Sequence, residues 1–89
     1  MLQPVYEKKF QRDLKRLLKR NKDLEKLDFV LNKLVRKNKL ENSFLDHSLK
    51  GNYANCRECH IEPDWLLIYM IKNPHIIFIR TGTHSNLFK

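Results

Sequence analysis

The sequence has 89 residues, of which 42% are hydrophobic, and a formal net charge of +8. That length suits one compact domain over residues 1–89 and is too short for two, while two glycines and three prolines are too few for a disordered linker. No run approaches the roughly 18 to 20 apolar residues that span a bilayer, and the start lacks the basic and apolar regions of a secretory signal, so we expect a cytoplasmic protein without a membrane partner.

The positive charge is concentrated in the first part of the chain. Residues 1–40 contain 13 Lys or Arg and 5 Asp or Glu, whereas residues 41–89 contain 5 of each. Neutralised phosphates supply the largest sequence-independent part of nucleic-acid affinity. This distribution favours a basic docking surface beside a separate working face, although a solvated helix surface is the ordinary alternative.

Two amphipathic helices are predicted from the spacing of apolar residues. The stripe of the first helix consists of Phe10, Leu14, Leu17 and Leu18. Asn21 or Asp23 can cap a second helix, which repeats the stripe with Leu24, Leu27, Val30, Leu31, Leu34 and Val35. So short a connection predicts an antiparallel helical hairpin. The lysines on its outer side that we predict to bind nucleic acid are Lys15, Lys19 and Lys22.

The second part of the chain has the period of β-structure. Residues 42–53 are predicted to form a loop, and strands are predicted over residues 56–61, 65–71 and 75–81, with a last helical turn at 85–88. The breaks between the strands carry turn residues and predict an antiparallel meander. The apolar face of the helical hairpin must cover one face of this sheet. The predicted fold class is therefore α+β, an N-terminal helical hairpin packed on a small antiparallel-rich sheet in two layers.

One segment, Cys56-Arg57-Glu58-Cys59-His60, matches the C-x-x-C-H pattern of c-type haem attachment. Covalent haem requires an exported chain and usually a second axial ligand, and a zinc site would require four ligands at recognisable spacing. On a strand, residues three apart point to opposite faces, so the two cysteines cannot clamp one group. We therefore predict no haem, no metal and no other cofactor, with Cys59 facing the core and His60 facing outward.

The histidines form a more informative set. His47, His60 and His84 lie in loops or at strand ends beside other reactive side chains. Each one alone would most simply be a surface or capping residue, so the prediction of a site depends on the set. His75 is left out because it lies at the opposite end of its strand from Arg80.

Such a set suits cleavage of RNA without a metal ion. That reaction uses the 2′-hydroxyl as an internal nucleophile and needs a base, an acid for the departing 5′-oxygen, and positive charge for the transition state. Histidine can serve as base or acid near neutral pH. Arg80 or Lys50 can supply the charge, and Trp65, Tyr53 or Phe88 could stack on an unpaired base.

Three blocks of the sequence, in this order, resemble the YafQ branch of the RelE/ParE superfamily of bacterial type II toxins. They are "DHSLKGNY", "RECHIEPDWLLIY" and "RTGTHSNLF". The resemblance extends over essentially the whole chain. It implies a RelE-like fold and an mRNA endoribonuclease that typically acts on messages in the ribosomal A site. It also implies a cognate antitoxin that wraps and silences the toxin.

The resemblance also implies which residues act. The positions that it carries over are His47, His60, Asp64, Arg80, His84 and Phe88. It implies that His84 donates the proton to the leaving oxygen and that Arg80 stabilises the transition-state charge. His60 with Asp64, and His47, are candidates for activating the 2′-hydroxyl and positioning the phosphate, and which of them is the base stays open. Phe88 and Trp65 are expected to stack on bases or to support the site.

Two alternatives remain at this point. The superfamily also contains toxins that poison DNA gyrase and lack the histidine-rich site, and the chain could bind nucleic acid without cleaving it. A protein that acts only by binding has no need of a paired acid and base, so the histidines with Arg80 favour the nuclease. The sequence leaves codon preference, ribosome dependence and the stoichiometry with antitoxin open.

Overall fold

A computed structural model describes residues 1–88 and shows a sheet with helices packed on it. The elements, in chain order, are β1 (Gln3–Tyr6), α1 (Lys8–Lys19), α2 (Leu24–Val35), β2 (His47–Ser48), β3 (Arg57–Glu62), β4 (Trp65–Lys72), β5 (His75–Gly82) and α3 (His84–Leu87). Short 3₁₀ turns at Asn42–Phe44 and Gly51–Tyr53 flank β2. The helices of residues 1–88 are all too short or too polar to span a bilayer.

The five strands form one mixed sheet in the order β1-β5-β4-β3-β2. Strand β1 is parallel to β5, and the remaining pairs are antiparallel. The predicted α+β class and the predicted meander of three strands are confirmed. Strand β2 lies in the segment that was predicted to be a loop, and β1 lies before the first predicted helix. Local periodicity does not reveal them, because β2 has only 2 residues and β1 has 4 residues that pair with the far end of the chain.

The helical hairpin is confirmed, with one difference in its apolar stripe. Asp23 caps α2 by accepting a hydrogen bond from the Glu25 amide at 3.0 Å. Phe10 and Leu17 of α1 are buried as predicted, but Leu18 is 58% exposed. The buried position between Phe10 and Leu17 is instead held by Asp13, which is only 2% exposed. A charged side chain therefore occupies the face of α1 that packs on the sheet.

The sheet carries apolar side chains on both faces. The larger cluster lies under the hairpin and includes Phe10, Leu27, Val30, Cys59, Trp65, Tyr69, Ile76 and Phe78. The smaller cluster lies on the other face and consists of Cys56, Leu66, Ile68 and Leu87. The two cysteines are thus on opposite faces, as strand alternation predicts. Burial raises the pKa of the Cys59 thiol to about 12 and also raises that of Cys56, so neither thiol is activated for chemistry.

Strand β5 contains a bulge that bears on the site. Ile68 pairs with Arg80 while the next residue of β4, Tyr69, pairs with Phe78, so Ile79 is an extra residue in β5. Phe78 and Thr81 are both buried, and Ile79 and Arg80 lie between them. Bulges are enriched next to active sites because they change the direction of a side chain. Arg80 is the residue that immediately follows the extra residue, Ile79.

Candidate active site

Strand register places two of the predicted site residues, His47 and Arg80, in one row across the sheet. His47 pairs with Glu58, Glu58 pairs with Ile68, and Ile68 pairs with Arg80. Neighbouring strands lie about 4.8 Å apart, so this row places His47 and Arg80 three strand spacings from each other. Four separate segments of the chain therefore contribute to one row of side chains.

A second row lies beside the first and ends in α3. His60 pairs with Leu66, and Leu66 pairs with Gly82. Two residues after Gly82 the chain enters α3 at His84, with Thr83 as its N-cap. The ring centroids of His47 and His60 are 6.3 Å apart, and those of His60 and His84 are 5.9 Å apart. The structure therefore brings the three predicted imidazoles together, with His60 in the middle.

His84 is oriented by Asp64. Its Nδ1 lies 2.7 Å from Asp64 Oδ1, and its backbone N–H donates to the same oxygen at 3.0 Å. These hydrogen bonds from His84 lower the pKa of the Asp64 carboxyl, with a smaller contribution from the charge of Lys22. The expected pairing of His60 with Asp64 is wrong, because the turn after β3 directs the carboxylate toward α3. Asp64 is hydrogen-bonded to His84 instead.

A buried carboxylate lies between the other two imidazoles. Glu58 is only 5% exposed, and its Oε1 is 3.5 Å from His47 Nε2 and 3.4 Å from His60 Nε2. On their other nitrogens, His47 Nδ1 lies 2.6 Å from the Leu45 carbonyl oxygen, and His60 Nδ1 lies 3.3 Å from that of Pro63. Glu58 lies two residues before His60 on β3 and therefore on the same face of the sheet, but sequence reasoning did not include it in the site.

These contacts fix which ring nitrogen carries a proton. Carbonyl and carboxylate oxygens only accept, so Nδ1–H donates in His47 toward Leu45 and in His84 toward Asp64. The Nε2 atom of His84 is left for a substrate, whereas Nε2 of His47 and of His60 faces Glu58 Oε1 at 3.5 and 3.4 Å. In His84 this atom makes no hydrogen bond within residues 1–88, and the side chain is exposed.

The segment before His47 is anchored from the core side. Asp46 Oδ1 accepts from Arg57 Nε at 2.8 Å, and Asp46 Oδ2 accepts from the Tyr69 hydroxyl at 2.5 Å. Burial, together with this hydrogen bond, raises the pKa of Tyr69 well above its ordinary value, so the phenol keeps its proton and remains a donor. Tyr69 is a core residue, as predicted, and it helps to hold the chain that presents His47.

Arg80 is held by the buried Asp13. Its Nε donates to Asp13 Oδ2 at 2.8 Å and its Nη2 donates to Asp13 Oδ1 at 3.1 Å. Hydrogen bonding to Asp13 is the main cause of a raised pKa of the guanidinium, and the Tyr53 phenol adds to it. Asp13 is contacted through Nε and Nη2 and not through Nη1, so the donors of Nη1 are left to point toward a phosphate. Sequence reasoning missed Asp13, whose only signal was an acidic residue among apolar positions of a basic helix.

Aromatic side chains border the imidazoles at α3. Phe88 is 44% exposed, and its ring centroid lies 5.7 Å from that of Tyr53 in a T-shaped contact and 6.4 Å from that of His84. Phe88 thus offers an exposed ring face beside the predicted acid, as a base-stacking residue would.

The prediction that Trp65 contacts a base directly is wrong. Its side chain is only 1% exposed, and its indole Nε1–H donates to Thr81 Oγ1 at 2.9 Å. Thr81 in turn donates to the Leu66 carbonyl at 2.8 Å, which locks the ring into the larger cluster. The indole is buried because strand alternation turns the first residue of β4 toward the helices. Only the supporting role that was considered for Trp65 remains.

The predicted nucleic-acid-binding lysines differ in their surroundings. Lys15 and Lys19 are exposed on α1, and Lys50 is exposed at the start of the 3₁₀ turn that contains Tyr53. Lys22 is less free, because its Nζ pairs with Glu62 Oε1 at 3.0 Å and lies 5.6 Å from the Trp65 ring centroid. Its positive charge still helps to lower the pKa of Asp64, which lies at the rim of the imidazole cluster.

Among residues 1–88, no group of three or more His, Cys, Asp or Glu is arranged to hold a metal ion. The histidine and carboxylate side chains at the site instead contact one another through hydrogen bonds and through longer ion-pair contacts. Ordered acceptors behind each imidazole, a fixed guanidinium and an exposed aromatic ring provide acid–base groups, positive charge and a stacking surface.

Comparison with known proteins identifies the family. The sequence profile of the family described as "Bacterial toxin of type II toxin-antitoxin system, YafQ" matches residues 2–89. The mRNA interferase toxin YafQ of Escherichia coli K12 is 38% identical over 84 residues, which are 93% of this chain and 91% of that protein. The chain therefore belongs to the YafQ family of type II toxins.

Solved structures of relatives have the same fold. A copper-bound mutant toxin from Helicobacter pylori is 42% identical, with a TM-score of 0.94 over 99% of this chain and 100% of that one. The toxin in the E. coli DinJ-YafQ complex is 36% identical, with a TM-score of 0.92 over 100% of both chains.

The burial of Trp65 can be tested by fluorescence, because the chain contains one tryptophan. We expect acrylamide to quench the folded protein weakly, and single-stranded RNA to leave its emission nearly unchanged. A Trp65→Phe, Phe88→Trp variant moves the indole to the exposed position and should be quenched strongly by both. Strong quenching of the natural tryptophan by RNA, with the fold intact by circular dichroism, would contradict this placement.

Proposed function

We propose that this YafQ toxin is a metal-independent endoribonuclease that cleaves mRNA by attack of the 2′-hydroxyl on the adjacent phosphorus. The new oxygen–phosphorus bond displaces the 5′-oxygen of the next nucleotide, leaving a 2′,3′-cyclic phosphate and a 5′-hydroxyl. The observation that carries the proposal is the cluster of three imidazoles, each with Nδ1 facing an acceptor. The need for a 2′-hydroxyl limits the substrate to RNA.

His84 is the proposed acid. The Asp64 carboxylate accepts from its Nδ1 at 2.7 Å and stabilises the protonated ring, as the orienting carboxylate does in other acid–base pairs. The Nε2–H of that ring can then pass its proton to the departing 5′-oxygen. The exposure of His84 and the neighbouring Phe88 ring, 6.4 Å away, support a position beside the substrate.

The proposed base is one of His47 and His60. Either ring would take the proton of the 2′-hydroxyl on Nε2, the nitrogen that faces Glu58 Oε1 at 3.5 Å in His47 and at 3.4 Å in His60. The Glu58 carboxylate is thus placed to orient the ring that acts as the base and to balance the charge that this ring gains. The second imidazole is left to position the phosphate.

Arg80 is the proposed source of charge for the transition state. The two nitrogens bonded to Asp13 hold the guanidinium plane, and Nη1 remains as a donor to the non-bridging phosphate oxygens. Phe88 is proposed to stack on a base with Tyr53 behind it, and Lys50 and Lys22 to contact the RNA backbone at the rim.

The basic hairpin is proposed to dock the toxin on the message and the ribosome, in the cytoplasm, with all 89 residues acting as one domain. Its exposed α1 lysines are suited to phosphate contacts of low sequence specificity. A cognate antitoxin is the proposed protein partner, since the E. coli relative has been solved as a DinJ-YafQ complex. A gyrase-directed toxin or a passive nucleic-acid binder would not require three imidazoles with ordered acceptors, and the cluster therefore favours the nuclease.

Removal of the acid should abolish cleavage. We expect His84→Ala to lower the single-turnover rate on purified RNA by about 10² to 10⁴-fold, because general acid–base catalysis contributes that much. EDTA should leave the natural protein active, and a 2′-deoxy substitution at the cut position should block it. The measurement is gel analysis of labelled RNA with mapping of 5′ ends.

His75→Ala is the matched control, because this exposed histidine lies at the far end of β5. It should cleave at the natural rate. If His84→Ala still arrests growth while transcripts stay intact, toxicity does not depend on cleavage and the proposal is refuted. Activity that disappears with EDTA and returns with a divalent cation would refute metal independence.

Loss of charge on α1 should weaken docking and flatten its salt dependence. For Lys15→Gln with Lys19→Gln, the slope of log affinity against log salt should fall by about 0.7 per lost contact on single-stranded RNA. Lys37→Gln with Lys39→Gln removes the same charge from exposed positions after α2 and should change the slope less. Equal slopes for all three proteins, on RNA and on ribosomes, would exclude α1 as the docking surface.

A further inference from the structure

We propose that Asp13 is a positioning residue that holds Arg80 in its catalytic orientation and so ties α1 to the active site. The inference rests on the proposed role of Arg80 in RNA cleavage. It concerns a residue on the hairpin, outside the blocks of sequence that resemble the toxin family.

The location of Asp13 is unusual for its chemistry. It is the one acidic residue within α1, and it is 2% exposed between the buried Phe10 and Leu17. Burying a carboxylate is unfavourable unless it is fully paired, and a buried ion pair is often no more stabilising than an apolar pair of the same size. Stability alone therefore does not explain an acid at this point of the stripe.

The contacts of Asp13 converge on one short segment of β5. Its Oδ2 accepts from Arg80 Nε at 2.8 Å and from the Thr81 backbone N–H at 3.0 Å, and its Oδ1 accepts from Arg80 Nη2 at 3.1 Å. Arg16 Nη1 adds a longer contact to Oδ1 at 3.4 Å. One carboxylate thus holds both the side chain of Arg80 and the backbone that follows it.

This segment needs such an anchor because of the bulge. Ile79 is an extra residue in β5, and the ladder with β4 is irregular at Arg80. The two parallel hydrogen bonds to the guanidinium fix the plane of a side chain that would otherwise sample many rotamers. Fixing that plane also fixes the direction in which Nη1 points.

Asp13→Asn is the first test because it keeps the shape of the side chain and replaces one acceptor oxygen with an amide. We expect kcat on RNA to fall about 10 to 100-fold while KM changes less than threefold. Asp13→Glu, which restores the carboxylate, should recover part of kcat. Circular dichroism and the unfolding midpoint show whether each variant is folded.

A cycle with Arg80→Ala separates positioning from a merely structural role. If Asp13 acts through Arg80, Asp13→Asn should have little further effect on the single-turnover rate of Arg80→Ala. An equal loss in both backgrounds, or a natural kcat for folded Asp13→Asn, would overturn the inference. If His84→Ala and Arg80→Ala both cleaved RNA at the natural rate, the proposed function itself would be refuted.

A measurement on the unaltered protein covers the case in which Asp13→Asn does not fold. The Arg80 Nε–H should give a resolved nitrogen-15 correlation and exchange slowly with solvent, because it donates to a buried oxygen. The exposed Arg36 is the internal comparison and should exchange rapidly. An Arg80 Nε–H that exchanges as fast as that of Arg36 would overturn the inference without any assay of RNA cleavage.

Discussion

The register of the four antiparallel strands is the constraint on which the site depends. Because side chains alternate between the faces of a sheet, a slip of one residue in β3 would turn Glu58 and His60 toward the helices and Cys59 toward solvent. The buried cluster of Cys59, Trp65, Tyr69 and Phe78 sets that register from the helix side. Packing of the core therefore decides which side chains meet on the opposite face.

Three carboxylates then convert this register into defined side-chain orientations. Asp13 holds Arg80, Glu58 lies between His47 and His60, and Asp64 holds His84. Two of the three are buried, where each hydrogen bond is stronger and an unpaired acceptor would be costly. The proposed catalytic groups thus gain their orientation from acidic residues behind them, in a chain whose net charge is strongly positive.

Periodicity alone predicted the helical hairpin, the three central strands and the opposite placement of Cys56 and Cys59, because each is a local pattern of one element. It did not predict β1, which pairs with the distant β5, or β2, which has only 2 residues. The histidines could be selected by residue type, but their partners could not. Asp13 and Arg80 are 67 residues apart, and the choice of Asp64 between His60 and His84 depends on the path of a turn. Trp65 was misplaced because the sequence does not show which face β4 buries at its first residue.

The central claim is that the fold holds Nδ1 of each imidazole against an acceptor oxygen and leaves Nε2 of His84 for RNA. Nitrogen-15 NMR of the histidine rings, with and without an uncleavable 2′-deoxy analogue, measures this directly. The account predicts Nδ1–H tautomers for neutral His47 and His84, and a shift of His84 Nε2 when the analogue binds. Nε2–H tautomers at both rings, or ring signals that do not respond to the bound analogue, would contradict it.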